Sequence, residues 1–485
     1  AVATRDGGKP PAARLAQRFA WPRAAGLTQS CSVWWRGRPR RGGEASVEFW
    51  AWLRDEIESR PDESQLPRAP RNHLVEITMV PLRLEKLLVV GFLLCLDILL
   101  HELSFTPLQA IFAVCRLLGR GLAVRLCCRR RREEASNSFA LSVTEQGDVM
   151  RLVMLLFNVA LVVMFFDVSS TYHYIRGESF LKLYVIFNML EMFERWCRSV
   201  GVDLFDLVMA SARQPWRHLL PKYLATLAYC FVHSMMHLLR VLLLHVAINT
   251  SASSVFLIIT TNNFGEIKST VFKRYEPKSL FPIVTSDIVE RFYLLTDIIF
   301  VLVRLSIPTT RRDGSTLEIV RLIALLVLLE LGTDWIKFCL IAKFSELPAS
   351  TLEVYKEVLM ADILVCRCAG AGSAAIGPKD GSKLQANAPF RGIHSFSHSL
   401  QRRLGFSGVP LTTLVIVHLL LLARSPCASA HMRRPRAALA AFVVGGFVVG
   451  LLAKTLLSLI LFGFAARRKD RIPQGLELFP KIKSL

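Results

Sequence analysis

Apolar positions along this chain fall into long runs instead of the short alternation of strands. The runs recur from Leu84 to Phe464, and the segments between them hold most of the Arg and Lys. That is the pattern of an all-α, multi-span integral membrane protein, whereas a membrane β-barrel would alternate in segments of about ten residues. The first run, residues 84–118, is interrupted at His101-Glu102 and Pro107. It is too long for one upright helix of about 20 residues, so it predicts a tight helical hairpin or broken pair with both ends on one side. Further runs cover residues 152–166, 219–248, 292–303, 317–341, 411–423 and 437–464. Counting the hairpin as two, roughly eight hydrophobic segments are expected, with a long amphipathic helix, described next, among the predicted elements. An even number of crossings puts both termini in the cytosol. Arg311-Arg312 and Arg433-Arg434 then fall on the lumenal side, against the charge rule, so one segment is expected to be re-entrant or interfacial.

Between the second and third runs lies a different pattern. From Tyr174 to Arg198, a spacing of 100° per residue puts Asn188, Glu191, Glu194, Arg195 and Arg198 on one stripe, with Leu, Val, Phe and Met around the rest. This predicts a long amphipathic helix over 178–212. Glu191 with Arg195 and Glu194 with Arg198 are i,i+4 pairs in the favourable acid-first order, so the seam can neutralise itself. Such a helix suits a membrane interface or a bundle interior. Its seam reads either as structural or as a docking face for a partner, with Arg176, Asn188, Glu191 and Arg195 as the docking candidates. Residues 262–276 form a short amphipathic element, with Asn262, Asn263, Phe264, Glu266 and Lys268 as further docking candidates. Asp287 followed by Glu290 resembles a reciprocal helix cap and predicts a span starting there. Asp97, Asp297, Glu330, Asp334 and Lys337 lie within apolar surroundings. Charged groups in lipid should be paired, and together with Asp167 the acids read alternatively as a polar transport path.

Composition narrows the function classes. In 485 residues, 52% are hydrophobic and the formal net charge is +22, with a mean hydropathy of +0.40. An ordinary soluble enzyme is excluded. The basic excess reads as a topology signal and an attraction to anionic lipid, because no basic-aromatic nucleic-acid motif accompanies it. The eleven cysteines form no Cys-x-x-Cys, which argues against a zinc ribbon or disulfide framework; Cys127-Cys128 beside Arg129 allow reversible palmitoylation. His233 and His237 sit one helical turn apart, but the zinc-hydrolase Glu is missing, so a hydrogen-bonded interior patch is preferred to a metal site. There is no Gly-x-Ser-x-Gly and no His-Glu-x-x-His. Neither catalytic residues nor a cofactor are expected.

The domain organisation follows. Residues 1–83 are Arg/Pro-rich, similar in their first part to an organelle transit peptide, and are expected to form a disordered cytosolic region. A membrane core over 84–368 is followed by a flexible Gly/Ala/Ser-rich insertion at 369–400, C-terminal membrane helices over 401–464, and a basic cytosolic tail at 465–485. Gly445, Gly446 and Gly450 are small residues of the kind that permit close helix contact in a bilayer. Asn249-Thr250-Ser251 is a formal glycosylation acceptor, read as chance. Lys481 and Lys483 resemble a dilysine retrieval signal.

Several stretches in order resemble the transmembrane anterior posterior transformation protein family. They include Leu84-Glu85-Lys86-Leu87, Tyr174-Ile175-Arg176-Gly177, Phe187-Asn188-Met189-Leu190-Glu191, Asn262-Asn263-Phe264, Asp334-Trp335-Ile336-Lys337 and Arg402-Arg403-Leu404-Gly405-Phe406. The resemblance implies a multi-pass membrane protein of the endoplasmic reticulum, without catalytic residues, tied to protein homeostasis, cilium formation and developmental patterning. It also implies membrane lipid and a membrane protein as partners, the latter with a SUN-like lumenal domain in yeast-like systems. The expected function is a non-enzymatic scaffold or quality-control component; a transporter or channel is the alternative.

Overall fold

In the computed structural model of the chain, the structure describes residues 53–54, 57–58, 73–126, 143–212, 214–250, 252–305, 316–368, 396–423 and 435–468. Every described regular element is helical. The chain divides into two units, residues 1–71 and 72–485. In the first, residues 53–54 and 57–58 are helical. The second is a helical bundle, and the rest of the description concerns it.

The first run is not a hairpin. Helix α1 (His73–Leu100) passes through a π-helical segment (His101–Phe105) into α2 (Thr106–Leu126) without leaving helical conformation. Leu100 and Thr106, which bracket the π segment, both have right-handed helical dihedrals, and the Thr106 N–H donates to the His101 carbonyl five residues back. The expected break at His101-Glu102 and Pro107 is therefore absorbed by widening one turn. A proline lacks an N–H and crowds the carbonyl four residues before it, and a π turn is one way to continue past that defect. The widened turn also turns polar groups inward: Ser104 donates to the Leu100 carbonyl at 2.5 Å, and Thr106 donates to the buried Glu102 at 3.0 Å.

Next come α3 (Val143–Phe165), α4 (Val168–Arg176), α5 (Phe180–Ser211) and α6 (Trp216–Thr250). Asp167 caps α4 by accepting from the Ser169 N–H at 3.0 Å. The chain continues as α7 (Ala252–Thr270), α8 (Pro277–Leu305), α9 (Thr316–Phe344) and α10 (Ser350–Cys368). It closes with α11 (Phe396–Leu404), α12 (Gly408–Ala423) and α13 (Pro435–Arg467). The start of α8 corrects the sequence expectation. The helix begins ten residues before Asp287, with Pro277 at its first position and the Glu276 N–H donating to Ser279 Oγ at 3.0 Å. Asp287 and Glu290 are interior residues whose carboxylates serve another purpose, described below.

Two helices organise the packing. Helix α1 touches α8, α9, α10 and α13, while α6 touches α5, α8, α12, α7 and α3. Leu84, Leu87, Leu94 and Ile98 on α1 are fully buried, as are Leu238 and Val241 on α6. In a bilayer such contacts act through close packing, since lipid tails are as apolar as the side chains they replace. A helix end is closed by Gly405, whose φ of +66° after α11 lets the Phe406 N–H reach the Gln401 carbonyl at 3.0 Å and buries Phe406. Arg403 pairs with Asp362 through two bonds of 2.8 and 3.1 Å, and Arg402 pairs with Asp206, so this turn ties α11 to both α10 and α5.

Four helices among the described residues are long and apolar enough to cross a membrane: 76–119, 145–165, 216–248 and 443–467; residues 408–422 form a shorter apolar helix. The expected count of eight is not reproduced. One reason is the undivided first run; another is that α8 and α9 carry three or more charged groups in each span-length stretch, and the partners of those groups lie within the bundle. Among the described residues, nothing within 4 Å would meet a Cβ at Gly445 or Gly446, and at Gly450 only Ser104 Cβ lies at 4.0 Å. Cys127-Cys128, Asn249-Thr250-Ser251 as a unit, residues 369–395 of the insertion and the retrieval candidates Lys481 and Lys483 lie outside the described residues or side chains, while residues 396–400, expected to be flexible, begin α11.

Candidate functional site: a charged lattice inside the bundle

The polar seam of α5 faces inward. Both i,i+4 pairs form, Glu191 with Arg195 at 2.9 Å and Glu194 with Arg198 at 2.9 Å. The seam does not stop at neutralising itself. Arg198 reaches across to Glu290 on α8 at 2.7 Å and donates to the Ser286 carbonyl at 3.2 Å. Arg195 approaches Glu290 at 3.4 Å and Glu266 on α7 at 3.5 Å. Asn262 donates to Glu191, and Asn263 donates to Glu330 on α9 at 3.0 Å.

A second hub is Lys337 on α9, only 1% exposed, whose Nζ lies 2.7 Å from Asp287, 3.2 Å from Asp334 and 3.4 Å from Glu266. Asp334 also accepts from Arg291 at 2.6 Å, and Arg291 reaches Glu85 on α1 at 2.9 Å. Arg240 on α6 pairs with the buried Asp297 at 3.1 Å. Charged groups on α1, α5, α6, α7, α8 and α9 thus meet in one region. Burying them is costly, and it is tolerable because each carboxylate and cation finds opposite charge or an amide donor.

Two groups outside the span-length helices show the balance electrostatically. Burial raises the Glu194 carboxyl above its ordinary value, and Arg198 and Arg240 oppose that rise. Burial likewise raises Glu266, against Lys337 and Arg195. In contrast, the exposed Glu178 is held below the usual range by the hydrogen bond from Lys182, a surface pair at 2.7 Å.

The docking candidates separate into two groups. Glu191, Arg195, Asn262, Asn263 and Glu266 belong to the lattice, while Asn188 is half-buried with no hydrogen-bond partner on its Oδ1. Arg176, Phe264 and Lys268 are exposed. Helix α7 therefore has an inner edge bonded to the lattice and an outer edge carrying Phe264, 66% exposed, and Lys268. Phe272, just past its end, is 76% exposed and precedes the exposed Lys273 and Arg274.

The intramembrane acids do not line one path. Asp97 is buried against Lys454 on α13 at 2.5 Å and accepts from Ser458 at 2.8 Å. Asp167 caps α4, and Asp334 is held by Arg291 and Lys337. Asp297 and Glu330 share a cavity of about 50 Å³ that Glu191, Arg240, Asn262, Asn263, Glu266 and Glu290 also line.

The histidines form a polar aromatic ladder. Tyr229 Oη and His233 Nδ1 are 2.9 Å apart, the His233 and His237 rings stack at 4.6 Å, and Tyr293 lies 4.5 Å beyond. His245 packs on Tyr172. Among the described residues, the one acid or histidine cluster with metal-ligand spacing is Glu266, Asp287 and Glu290, with no histidine in it. Lys337 supplies positive charge at that cluster.

Sequence reasoning missed Arg240, Arg291 and Glu85. Their signal, a charged residue inside an apolar run or at its edge, is present, but the partners lie 57, 43 and 206 residues away. No local spacing pairs them.

Residues 141–470 match the model of a family described as a eukaryotic membrane protein family. The chain is 30% identical over 355 residues to Transmembrane anterior posterior transformation protein 1 homolog of Danio rerio, covering 71% of this chain and 56% of that protein. It is 30% identical to Protein TAPT1 homolog of Drosophila melanogaster, covering 72% of this chain and 48% of that one. To Endoplasmic reticulum membrane protein 65 of Schizosaccharomyces pombe it is 26% identical, covering 65% and 50% respectively. The chain thus spans about half the length of these relatives. No solved structure matches it. A bundle of apolar helices closed by internal ion pairs, together with a family match over most of its length, places the chain in this eukaryotic membrane protein family, alongside the transmembrane anterior posterior transformation proteins.

Proposed function

We propose that this protein is a non-enzymatic, multi-pass membrane scaffold of the endoplasmic reticulum that works in protein homeostasis by docking another membrane protein. Ciliary and patterning roles would follow from the cargo handled. The compartment is supported by the name of the fission-yeast relative. The docking mechanism is supported by one observation above the others: α7 is fixed to the bundle by its inner edge and leaves Phe264 and Lys268 exposed on its outer edge. An exposed aromatic side chain on a rigid support is the kind of anchor that interfaces favour, and the Lys268 charge beside it can orient a partner of opposite charge. The lattice is the support, and the outer edge is the contact.

The test is site-specific photo-crosslinking from position 264 in intact cells. A crosslink to a membrane protein of the endoplasmic reticulum is expected, reduced at least tenfold by Lys268→Glu and unchanged by Glu178→Gln. Crosslinks to lipid alone, at normal expression, would contradict the docking reading.

A further inference from the structure

Helices α1, α8 and α9 are knotted together by polar groups at one level and leave a gap beside the knot. Glu85 of α1 accepts from Arg291 of α8 at 2.9 Å and from Trp335 of α9 at 2.8 Å, and Arg291 also donates to Asp334 of α9 at 2.6 Å. Next to these bonds the three helices enclose a crevice of about 170 Å³. Its walls are Phe92 of α1, Leu294 and Ile298 of α8, and Val327 and Leu331 of α9, while Arg291 and Glu330 supply the polar edge. On α8 the apolar surface continues away from Arg291, because Leu295, Ile299 and Leu302 recur at helical spacing and are exposed. From Arg291 to Leu302 the helix advances roughly 16 Å.

The knot stands where charge gives way to hydrocarbon. Glu85 and Lys86 are the last charged residues of α1 before Asp97, and the ten residues between, Leu87 to Leu96, are apolar or glycine. Trp335 is exposed, and indole is a group that settles at the head-group level of a bilayer. Arg291 spends Nε and Nη1 on the knot, and among the described residues its Nη2 has no hydrogen-bond partner. Glu85 and Asp334 already balance its charge, and Glu330 lies at the same edge. The spare N–H therefore suits a neutral acceptor and not another anion. Size narrows the occupant further. A helix, about 10 Å across with its side chains, does not enter such a space, whereas an apolar cavity of about 150 Å³ in another protein stays dry and takes up benzene.

We propose that this crevice holds one ester-linked acyl chain of a glycerophospholipid, with the ester carbonyl accepting from Arg291 and the chain running past Leu295 and Ile299 toward Leu302. An ester places a neutral acceptor at the top of a hydrocarbon chain, which is the order of groups that the crevice presents from Arg291 downward. A free fatty acid would set its carboxylate against Glu85, Glu330 and Asp334. The fused rings of a sterol are too broad for the gap. A chain entering from the bilayer leaves other chains behind, so its gain is close packing on Phe92, Leu294 and Ile298 and not release from water. The bond at Arg291 supplies the selectivity. This inference stands apart from the docking reading, which concerns the outer edge of α7.

The experiment titrates the purified full chain in detergent with a phosphatidylcholine that carries a diazirine in one acyl chain, and photolabelled peptides are quantified by mass spectrometry. Labelling of α8 and α9 at the crevice should saturate near one lipid per chain. Labelling around the exposed Val449 of α13 should instead rise in proportion to lipid, which makes it the internal reference. Val327→Trp fills the crevice and should cut the saturable labelling at least fivefold while the α13 labelling stays the same. If that chain does not fold, Leu294→Trp fills the same space. A diazirine fatty acid of equal length should label the crevice at least tenfold less than the phospholipid. Crevice labelling that rises without saturating, that persists in a folded filled variant, or that the fatty acid matches would overturn the proposal.

Discussion

Lys337 shows how a single residue decides the character of this interior. Its ammonium is within 3.4 Å of carboxylates from three helices and has almost no contact with solvent. Replacing it with Met preserves the stem and removes the charge, leaving Asp287 buried without its cation. Breaking a buried pair from one side costs about 3–5 kcal/mol, so Lys337→Met should lower stability by that order in detergent unfolding. Lys337→Arg should cost far less. A loss below about 1 kcal/mol for the Met substitution would mean that the carboxylates are neutralised by other means. The sequence marks Glu330, Asp334 and Lys337 as a paired cluster on one face, and Asp334 with Lys337 is indeed an i,i+3 pair at 3.2 Å. Glu330 departs from that cluster and instead takes an amide from α7. Asp287 could not be anticipated as a partner, because an Asp followed three residues later by Glu is equally the signature of a helix start.

At the scale of elements, periodicity is the signal that carried furthest. The inward stripe of α5 is legible because a 3.6-residue repeat is a local property, and its two internal pairs need nothing beyond four-residue spacing. Breaks are less legible. A charged pair and a proline in an apolar run look the same whether the chain reverses or inserts a π turn, and only the packing of α1 against several other helices selects the unbroken helical run. Close helix contacts are also misjudged by composition. Gly445 and Gly446 resemble a contact motif, yet no described atom lies within 4 Å of where their Cβ would stand, whereas the isolated Gly91 on α1 lies where a Cβ would meet Ile288 on α8 at 2.5 to 2.8 Å. Ile288 is itself buried and has nowhere to retreat. Gly91→Val should therefore force α1 and α8 apart and lower stability by about 1–3 kcal/mol, the usual cost of overpacking. Gly446→Val, by the same measurement of the thermal midpoint, should change stability by less than about 0.5 kcal/mol. Equal effects at the two positions would show that the α1–α8 approach is looser than described.

For the molecule as a whole, the apolar runs announce a helical membrane protein, but the way the helices are joined is written in partners far apart along the chain. The bond from Arg198 to Glu290 spans 92 residues and the bond from Arg291 to Glu85 spans 206. Such pairs leave no local trace, and for that reason the sequence reading divides the charged residues between a docking seam and a transport path when most of them form one lattice. The central claim is that α5 is fastened to the bundle by this lattice, so that its polar seam is an inner surface. A double-mutant cycle on Arg198 and Glu290, read by reversible unfolding in detergent, tests it most directly. Arg198→Met and Glu290→Gln should each be strongly destabilising, and together they should cost less than their sum by about 1–3 kcal/mol. Additivity within about 0.5 kcal/mol would mean that the two side chains do not meet, and the inward-facing seam would have to be abandoned.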